Sequence, residues 1–444
     1  MEYRYRDASE MKDSGVEWIG KIPKDWTVSR IDKEFNVRNE KVSDKEYPPL
    51  SVTKQGILPQ LENVAKSDNG DNRKKVCVGD FVINSRADRK GSCGVSIYDG
   101  SVSLICNVLT PKKLHPQYVH SLFRNYYFSE EFYRWGSGIV DDLWSTNIEK
   151  MKKINIPIPM GEEDEKIADF LDKKTLQFDS IISKKEALIE KLEEAKKSLI
   201  SEVVTGKVKV VKTDDGYELV KRSSDEMKDS GIEWLGEIPK DWEIKRLRFL
   251  GKLQNGISKA SDQFGFGYPF VSYSNVYRNI NLPENIEGLV NSTDEERKIY
   301  SVEEGDVFFT RTSETVEEIG FASTCMETIQ DATFAGFLIR FRPNSNRLYK
   351  GFSKYYFRCD LNRKYFVKEM NLVTRASLSQ NLLNNLAVVL PSYKEQIDIY
   401  NTLELKIGGV NLSIDKLKYQ IEKLKEAKQS LISEAVTGKI EVLN

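Results

Sequence analysis

The chain repeats itself, and no other feature constrains its fold as strongly. The element MKDSGVEWIGKIPKDW, Met11 to Trp26, returns as MKDSGIEWLGEIPKDW, Met227 to Trp242, with 13 of 16 positions identical. A second element, IEKLEEAKKSLISEVVTGK from Ile189 to Lys207, returns as IEKLKEAKQSLISEAVTGK from Ile421 to Lys439, identical at 16 of 19. The first pair lies 216 residues apart and the second 232, so the second copy carries 16 extra residues between its two elements. Such a chain builds the same frame twice, and a single irregular domain is excluded. The segments between, roughly 33–155 and 249–387, share only thin echoes such as Gly79-Asp80-Phe81-Val82 against Gly305-Asp306-Val307-Phe308. Two kept frames around two diverged inserts imply one scaffold presenting two different readers.

From about Glu162 to Val204 there is neither Pro nor Gly, and Ile182, Ile189, Leu192 and Leu199 fall at seven, three and seven spacings. That pattern predicts a coiled-coil seam. The stretch from about Tyr393 to Val436 repeats it with Ile414, Ile421, Leu424 and Leu431, and Gly408-Gly409 is expected to interrupt its first half. Each helix should stop at Thr-Gly, Thr205-Gly206 and Thr437-Gly438, where glycine takes a left-handed cap at no side-chain cost. At about 1.5 Å per residue each is on the order of 60 Å long. A lone helix of that length would leave its apolar stripe in water, so the two are expected to pair within the chain. An antiparallel pair would relate the halves by an approximate two-fold axis. The fold class predicted is mixed α/β, with two globular domains joined by two long helices packed as an antiparallel coiled coil.

Lys+Arg 67 against Asp+Glu 68 gives a net charge of -1, so a nucleic-acid surface must be local. From Arg340 to Arg375 there are ten Lys/Arg against two Asp/Glu, and from Asn72 to Ser92 six against two. One basic stripe is ordinarily a solvated face; two, at different places in diverged inserts, favour phosphate contact. In the second insert Phe337, Ile339 and Phe341 are expected to face a core while Arg340 and Arg342 emerge opposite. Lys350, Lys354 and Arg358 should form one stripe on a helix. Base-edge chemistry is available in the expected loops 51–55, with Lys54, and 272–278, with Ser274, Asn275 and Arg278. It is also available at the strand ends Ser85-Arg86 and Arg311-Thr312. With Lys74, Lys75, Arg89 and Lys90, these are the DNA-contact candidates. The kept polar surface of the frame offers partner-contact candidates: Trp18, Trp26, Ser198, Ser201 and Lys207, matched by Trp234, Trp242, Ser430, Ser433 and Lys439.

Catalytic signatures are missing. The chain has no G-x-x-x-x-G-K-[ST], H-E-x-x-H, C-x-x-C or G-x-S-x-G pattern. Gly265-Phe266-Gly267 runs into Tyr268-Pro269 where a helix would have to open, so a plain loop is expected there. Five scattered cysteines suit a reducing compartment, and His115 and His120 supply little for a zinc site or a triad. No catalytic or metal-ligating residue and no bound cofactor is expected. With no run of about 18 apolar residues and no secretory leader, no membrane is expected and the cytoplasm is the expected compartment.

One order of elements occurs twice. EWIGKIPKDW and EWLGEIPKDW open the halves, a Gly-Asp strand lies in each insert, IPIPMGEEDEKI and VVLPSYKEQI start the helices, and SLISEVVTGK and SLISEAVTGK close them. Over essentially its whole length the chain resembles the specificity subunit of type I restriction-modification enzymes. The resemblance implies a first target recognition domain at 1–160, a spacer helix at 161–210, a linker at 211–226, a second recognition domain at 227–391 and a second spacer helix with tail at 392–444. It implies that each domain reads one half of a split, asymmetric double-stranded DNA target while the helices set the gap. Two methyltransferase subunits would supply the S-adenosylmethionine chemistry, and restriction and translocation subunits the ATP- and Mg-dependent cleavage. In one departure Gly161-Glu162-Glu163-Asp164 stands where the second copy has Glu395-Gln396. Two alternatives stay open: the specificity chain of a fused, type IIB-like restriction-methylation enzyme, separated by which partners co-purify, and a scaffold whose inserts bind protein, separated by salt-dependent DNA binding.

Overall fold

The computed structural model describes residues 2–60, 70–138, 144–214, 216–313, 319–369 and 376–443. They form two compact units, one of residues 1–186 with 417–444 and the other of residues 187–416. Each unit therefore takes one insert, one part of the first long helix (Glu163–Val204) and one part of the second (Tyr393–Val436).

The two helices pair antiparallel in both units. In the first, Lys428 Nζ donates to Asp179 Oδ1 at 2.7 Å and Lys185 Nζ to Gln420 Oε1 at 2.7 Å; in the second, Lys196 Nζ reaches Asn411 Oδ1 at 3.1 Å. Ile182, Ile414, Ile421 and Leu431 are buried along the seam, and Ile189, Leu192, Leu199 and Leu424 half-buried. The expected interruption at Gly408-Gly409 does not occur, because the second helix runs straight through both glycines. Leu403, Ile407 and Ile414 are buried on either side, and that burial outweighs a propensity cost of about 1 kcal/mol per glycine. The helix stops are where the Thr-Gly pairs place them. Gly206 and Gly438 have φ of +77° and +71°, and a Cβ on either would meet Pro239 Cγ at 2.3 Å or Pro23 Cδ at 2.4 Å. Both the backbone conformation and the close approach demand glycine.

The repeated frame makes one latch twice. Trp26 Nε1 donates to Glu163 Oε2 at 2.6 Å, and Arg6 also bonds Glu163; Trp242 Nε1 donates to Glu395 Oε2 at 3.1 Å and Arg222 Nη2 to Glu395 Oε1 at 2.9 Å. The departure at the first helix start is therefore small. Glu163 answers Glu395, and Asp164 Oδ2 accepts from His115 N at 2.6 Å where Gln396 Oε1 accepts from Tyr349 N at 2.8 Å. Asp164 lacks the amide that lets Gln396 also donate to Arg347 and Pro391 carbonyls. The stretch expected as a linker is largely ordered, since Val208–Thr213 and Gly216–Lys221 form a hairpin with Val208 opposite Lys221. In the first unit the same ladder joins the two ends of the chain, Ile440–Val442 to Tyr3–Tyr5, with Ile440 opposite Tyr5.

The diverged inserts share a core sheet. In the first unit four antiparallel strands lie in the order Cys93–Val95, Phe81–Asn84, Cys106–Pro111, Phe35–Val37. In the second the order is Ala322–Thr324, Val307–Thr310, Leu338–Pro343, Gly251–Asn255, also antiparallel. The Gly-Asp echo is the turn into the second strand of each list. Buried Asp80 accepts from Arg38 Nε at 2.6 Å, Thr110 Oγ1 at 2.6 Å and Cys77 N at 2.8 Å. Buried Asp306 accepts from Arg342 Nε at 2.7 Å and Nη2 at 2.6 Å, and from Glu303 N at 2.8 Å. The arginine follows Phe35–Val37 in one insert and lies on Leu338–Pro343 in the other. The ion pair is retained while its cation changes strand.

Candidate nucleic-acid interface

In the first unit four candidates stand on the surface. Lys54 sits exposed at the turn between Leu50–Thr53 and Gly56–Pro59, where its carbonyl accepts from Arg124 Nη2 at 2.6 Å. Arg86, just past Phe81–Asn84, is exposed and its backbone bridges to Ser145. Arg89 and Lys90 follow, exposed, beside Asp88 and Glu130 respectively. Lys74 and Lys75 are different. On the strand Arg73–Val76, Lys74 Nζ donates to Cys106 O at 2.7 Å, and burial pushes its pKa down. Lys75 Nζ bonds Glu40 at 3.0 Å and lies 4.9 Å from the Tyr47 ring centre. Lys74 is committed inside the protein, while Lys75 is half-buried and held in a surface pair with exposed Glu40.

The second insert corrects more of the expectations. Arg340, only 6% exposed, donates to Ser301 O and Gln254, and Arg342 is bound to Asp306 and Glu303. Their strand is central in a sheet covered on both faces, so the alternation expected of a half-exposed strand fails; Phe337, just before the strand, is 65% exposed. The basic stripe is broken too. The helix Lys350–Tyr356 ends before Arg358, Lys350 pairs with Glu304 at 2.8 Å, and Lys354 pairs with Glu404 at 2.6 Å. Arg358 is spent on four carbonyls, Tyr277 at 2.7 Å, Val276 and Ala322 at 3.0 Å each and Asn279 at 3.5 Å.

Residues 272–278 are a short helix, Tyr273–Arg278, capped by Ser272, and Asn275 closes the capping box by accepting from Ser272 N at 2.8 Å. Ser274 and Arg278 remain exposed. Residues 51–55 are strand and turn rather than loop. Arg311 and Thr312, half-buried, continue past Val307–Thr310, and Thr312 pairs with Ser377 as Arg86 pairs with Ser145. Gly265-Phe266-Gly267 is not a plain loop. It bulges from the strand Phe264–Val271, which leaves and rejoins its partner at Val290, with both glycines at positive φ. Arg375, the last residue of the basic run, lies outside the described residues.

The exposed set is thus Lys54, Arg86, Arg89, Lys90, Ser274 and Arg278. Sequence patterns do not reveal a further basic cleft in the second unit, of about 790 Å³, lined by Lys196, Lys197, Arg278, Lys354, Arg358 and Arg363. Lys196 and Lys197 belong to the kept frame, so a search for charge runs within the inserts passes over them.

Among the partner-contact candidates, Trp26 and Trp242 are core residues held by the glutamates of the latch. Ser433 is buried, and Ser201 is half-buried with its carbonyl taken by Thr205. Trp18 is half-buried on Phe128, ring centres 5.6 Å apart, and Trp234 on Tyr365 at 5.2 Å. Ser198, Lys207, Ser430 and Lys439 are exposed. Among the described residues no group of three or more His, Cys, Asp and Glu is placed to hold a metal ion, and no helix is long and apolar enough to cross a membrane.

A family model for the type I restriction modification DNA specificity domain matches residues 23–194 and 239–423. The chain belongs to this family. Both matches of the specificity domain begin within the frame element that carries Trp26 or Trp242 and take in one insert and most of the helix after it. The EcoKI specificity subunit of Escherichia coli K12 is 23% identical over 95% of this chain and 90% of its own length. The StySPI specificity subunit of Salmonella potsdam is 21% identical over 95% and 90%. Two solved structures share the fold of this specificity-domain chain. One, from work on complex assembly and conformational transition of the type I R-M system, has a TM-score of 0.71, 14% identity, and covers 94% of this chain and 99% of its own. The other, the HsdS subunit of Thermoanaerobacter tengcongensis, has a TM-score of 0.53, also 14% identity, and covers 94% and 98%.

Proposed function

We propose that this chain is the DNA specificity subunit of a type I restriction-modification complex, in which each insert reads one half of a split, asymmetric duplex target. The observation that carries the reading is a pair of specificity-domain matches over two inserts with the same sheet order and different surfaces. Each reader has a sheet of the same strand order, and the exposed side chains differ in kind and position: Arg86, Arg89 and Lys90 past a strand end and Lys54 in a hairpin turn in one, Ser274 and Arg278 on a short helix in the other. Different surfaces on a common base are what two different half-sites require. Methyl transfer with S-adenosylmethionine, and ATP- and Mg-dependent translocation and cleavage, belong in this reading to methyltransferase and restriction subunits docked on the frame. The exposed Ser198, Lys207, Ser430 and Lys439 are its candidate contacts.

Replacing residues 33–155 by the insert of a relative, and sequencing the methylated bases in cells that also express the methyltransferase subunit, tests this directly. One half-site should change and the other persist. A change in both half-sites, or no sequence-specific methylation by the parent complex, would count against it.

A further inference from the structure

Each insert holds one arginine in the same way. A Phe-Arg pair marks the end of a helix in both: Phe123-Arg124 closes Pro116–Arg124, and Phe357-Arg358 follows Lys350–Tyr356. Both phenylalanines are buried in the core of their unit, which fixes where the next side chain leaves the helix. Arg124 Nη1 donates to Cys93 O at 2.8 Å and Nη2 to Lys54 O at 2.6 Å. Arg358 Nη1 donates to Ala322 O at 3.0 Å and Nη2 to Tyr277 O at 2.7 Å, and Nη1 also reaches Val276 O at 3.0 Å. The carbonyls correspond. Counted from the Gly-Asp turns, Ile83 and Phe309 hold the same strand position, and their partners on the edge strand of the core sheet are Cys93 and Ala322. Lys54 and Tyr277 lie on segments that leave the same parallel contact. Pro49 bridges to Ser101 and Phe270 pairs with Thr333, after which the chain runs into 51–55 in one insert and 272–278 in the other.

The two tied segments have little else in common. One is a hairpin turn with Lys54 and Gln55 exposed, the other a six-residue helix with Ser274 and Arg278 exposed. A lone two-stranded hairpin and a helix of under two turns are each marginal in water, so their placement comes from what they are fastened to. A guanidinium suits that task, since its planar fork of donors can bridge two backbones at once. Fold, side chains and length of the segment have all diverged while the fastening stayed, which is the pattern of one mount carrying interchangeable reading parts.

We propose that Arg124 and Arg358 are the positioning residues of the two readers, each fixing one segment, 51–55 or 272–278, to the core sheet so that its side chains meet the base edges of one half-site. The proposal rests on the reading of the chain as a DNA specificity subunit. It gives the arginines themselves no contact with DNA, because their donors are turned onto backbone carbonyls. Hydrogen bonds to base edges weaken steeply with poor distance and angle, whereas phosphate contacts hold the duplex whatever its sequence. A segment released from its mount therefore loses discrimination before the complex loses DNA.

The test uses the full chain in complex with its methyltransferase subunits, and measures methylation of duplexes in which each base pair of both half-sites is varied singly. Exchange of the first insert assigns each half-site to its reader. Lysine in place of either arginine keeps the charge and loses the fork. Arg358→Lys should lower the mismatch penalty about fivefold in the half-site read by the second insert, from the roughly five- to 150-fold of a specific protein, and leave the other half-site unchanged. Arg124→Lys should do the reverse. Amide exchange reads the tie without DNA: in Arg358→Lys, residues 272–278 should exchange faster while Val307–Thr310 keeps the parent rate. Faster exchange throughout the unit, or weaker methylation of every duplex with all penalties kept, would make the arginine a structural residue only and overturn the proposal. So would unchanged penalties in both variants. So would a salt slope about 0.9 shallower in Arg358→Gln with the penalties kept, the mark of a phosphate contact. Arg124 makes the more open of the two ties, so Arg124→Lys decides the matter should Arg358→Lys not fold. If the parent complex showed no sequence-specific methylation, the functional reading would fail, and amide exchange would still decide the tie.

Discussion

His120 shows how a residue with no functional pattern around it still sets a measurable property. Its Nδ1 accepts from Val95 N at 3.2 Å, a bond that needs the neutral ring, and burial pushes its pKa down to about 4 from an ordinary 6.5. Between those values the unfolded chain binds a proton that the folded chain refuses, so the contribution is whole above about pH 6.5 and is lost as pH falls toward 4. Stability should drop by about 2 kcal/mol between pH 7 and 4.5 from this group, allowing for its partial exposure, and His120→Gln should remove that part of the drop. Urea midpoints of both proteins at the two pH values check it; equal drops would refute it. The same physics hid the arginines of the second insert. Residue type marks Arg340, Arg342 and Arg358 as candidates for DNA, but each is committed to carbonyls or to Asp306, partners brought close only by folding. Arg86, two residues past Phe81–Asn84, stayed exposed, whereas Arg311 and Thr312 at the matching strand end are half-buried.

At the level of elements, heptad spacing was a sound guide because a helix long enough to need a partner carries that need in its apolar period. Ile182, Ile414, Ile421 and Leu431 are buried where the spacing put them. Gly408-Gly409 misled because propensity is a local quantity of about 1 kcal/mol per residue, easily outweighed by buried neighbours. Both glycines are exposed, and a Cβ on either would meet nothing within 4 Å. Gly408→Ala with Gly409→Ala should therefore stabilise the chain by about 1 kcal/mol each, read as a rise in the unfolding midpoint. A fall would mean that the helix needs its flexibility there. The core sheets were the reverse case. Apart from the Gly-Asp echo, nothing in the inserts announces a common strand order, because a sheet accepts any sequence that keeps its faces buried and its few ion pairs closed. The arginine that moved between strands to reach Asp80 or Asp306 shows that tolerance directly.

Over the whole molecule, both long helices begin in one unit and end in the other. Four residues inserted after Leu188 alone would put the Lys196–Asn411 contact out of register with the Lys185–Gln420 contact, whereas a matching insertion after Leu417 keeps both. The single insertion should lower the unfolding midpoint. The double insertion should restore it and shift the gap tolerated between half-sites, with both half-site sequences kept; methylation of a library of spacer lengths reads the outcome, and an unchanged gap would show that the helices do not set it. The duplication, the helix pair, its glycine stops and the family were all legible in the chain itself, because repeats, periods and caps are local and a mutation cannot alter them without loss. Which arginines remain on the surface, that the two inserts build separate sheets of the same strand order, and that frame lysines and insert arginines line one cleft with Phe321 were decided by tertiary structure. Burial, hydrogen-bond partners and charge neighbours come from residues far apart along the chain, and no local pattern encodes them.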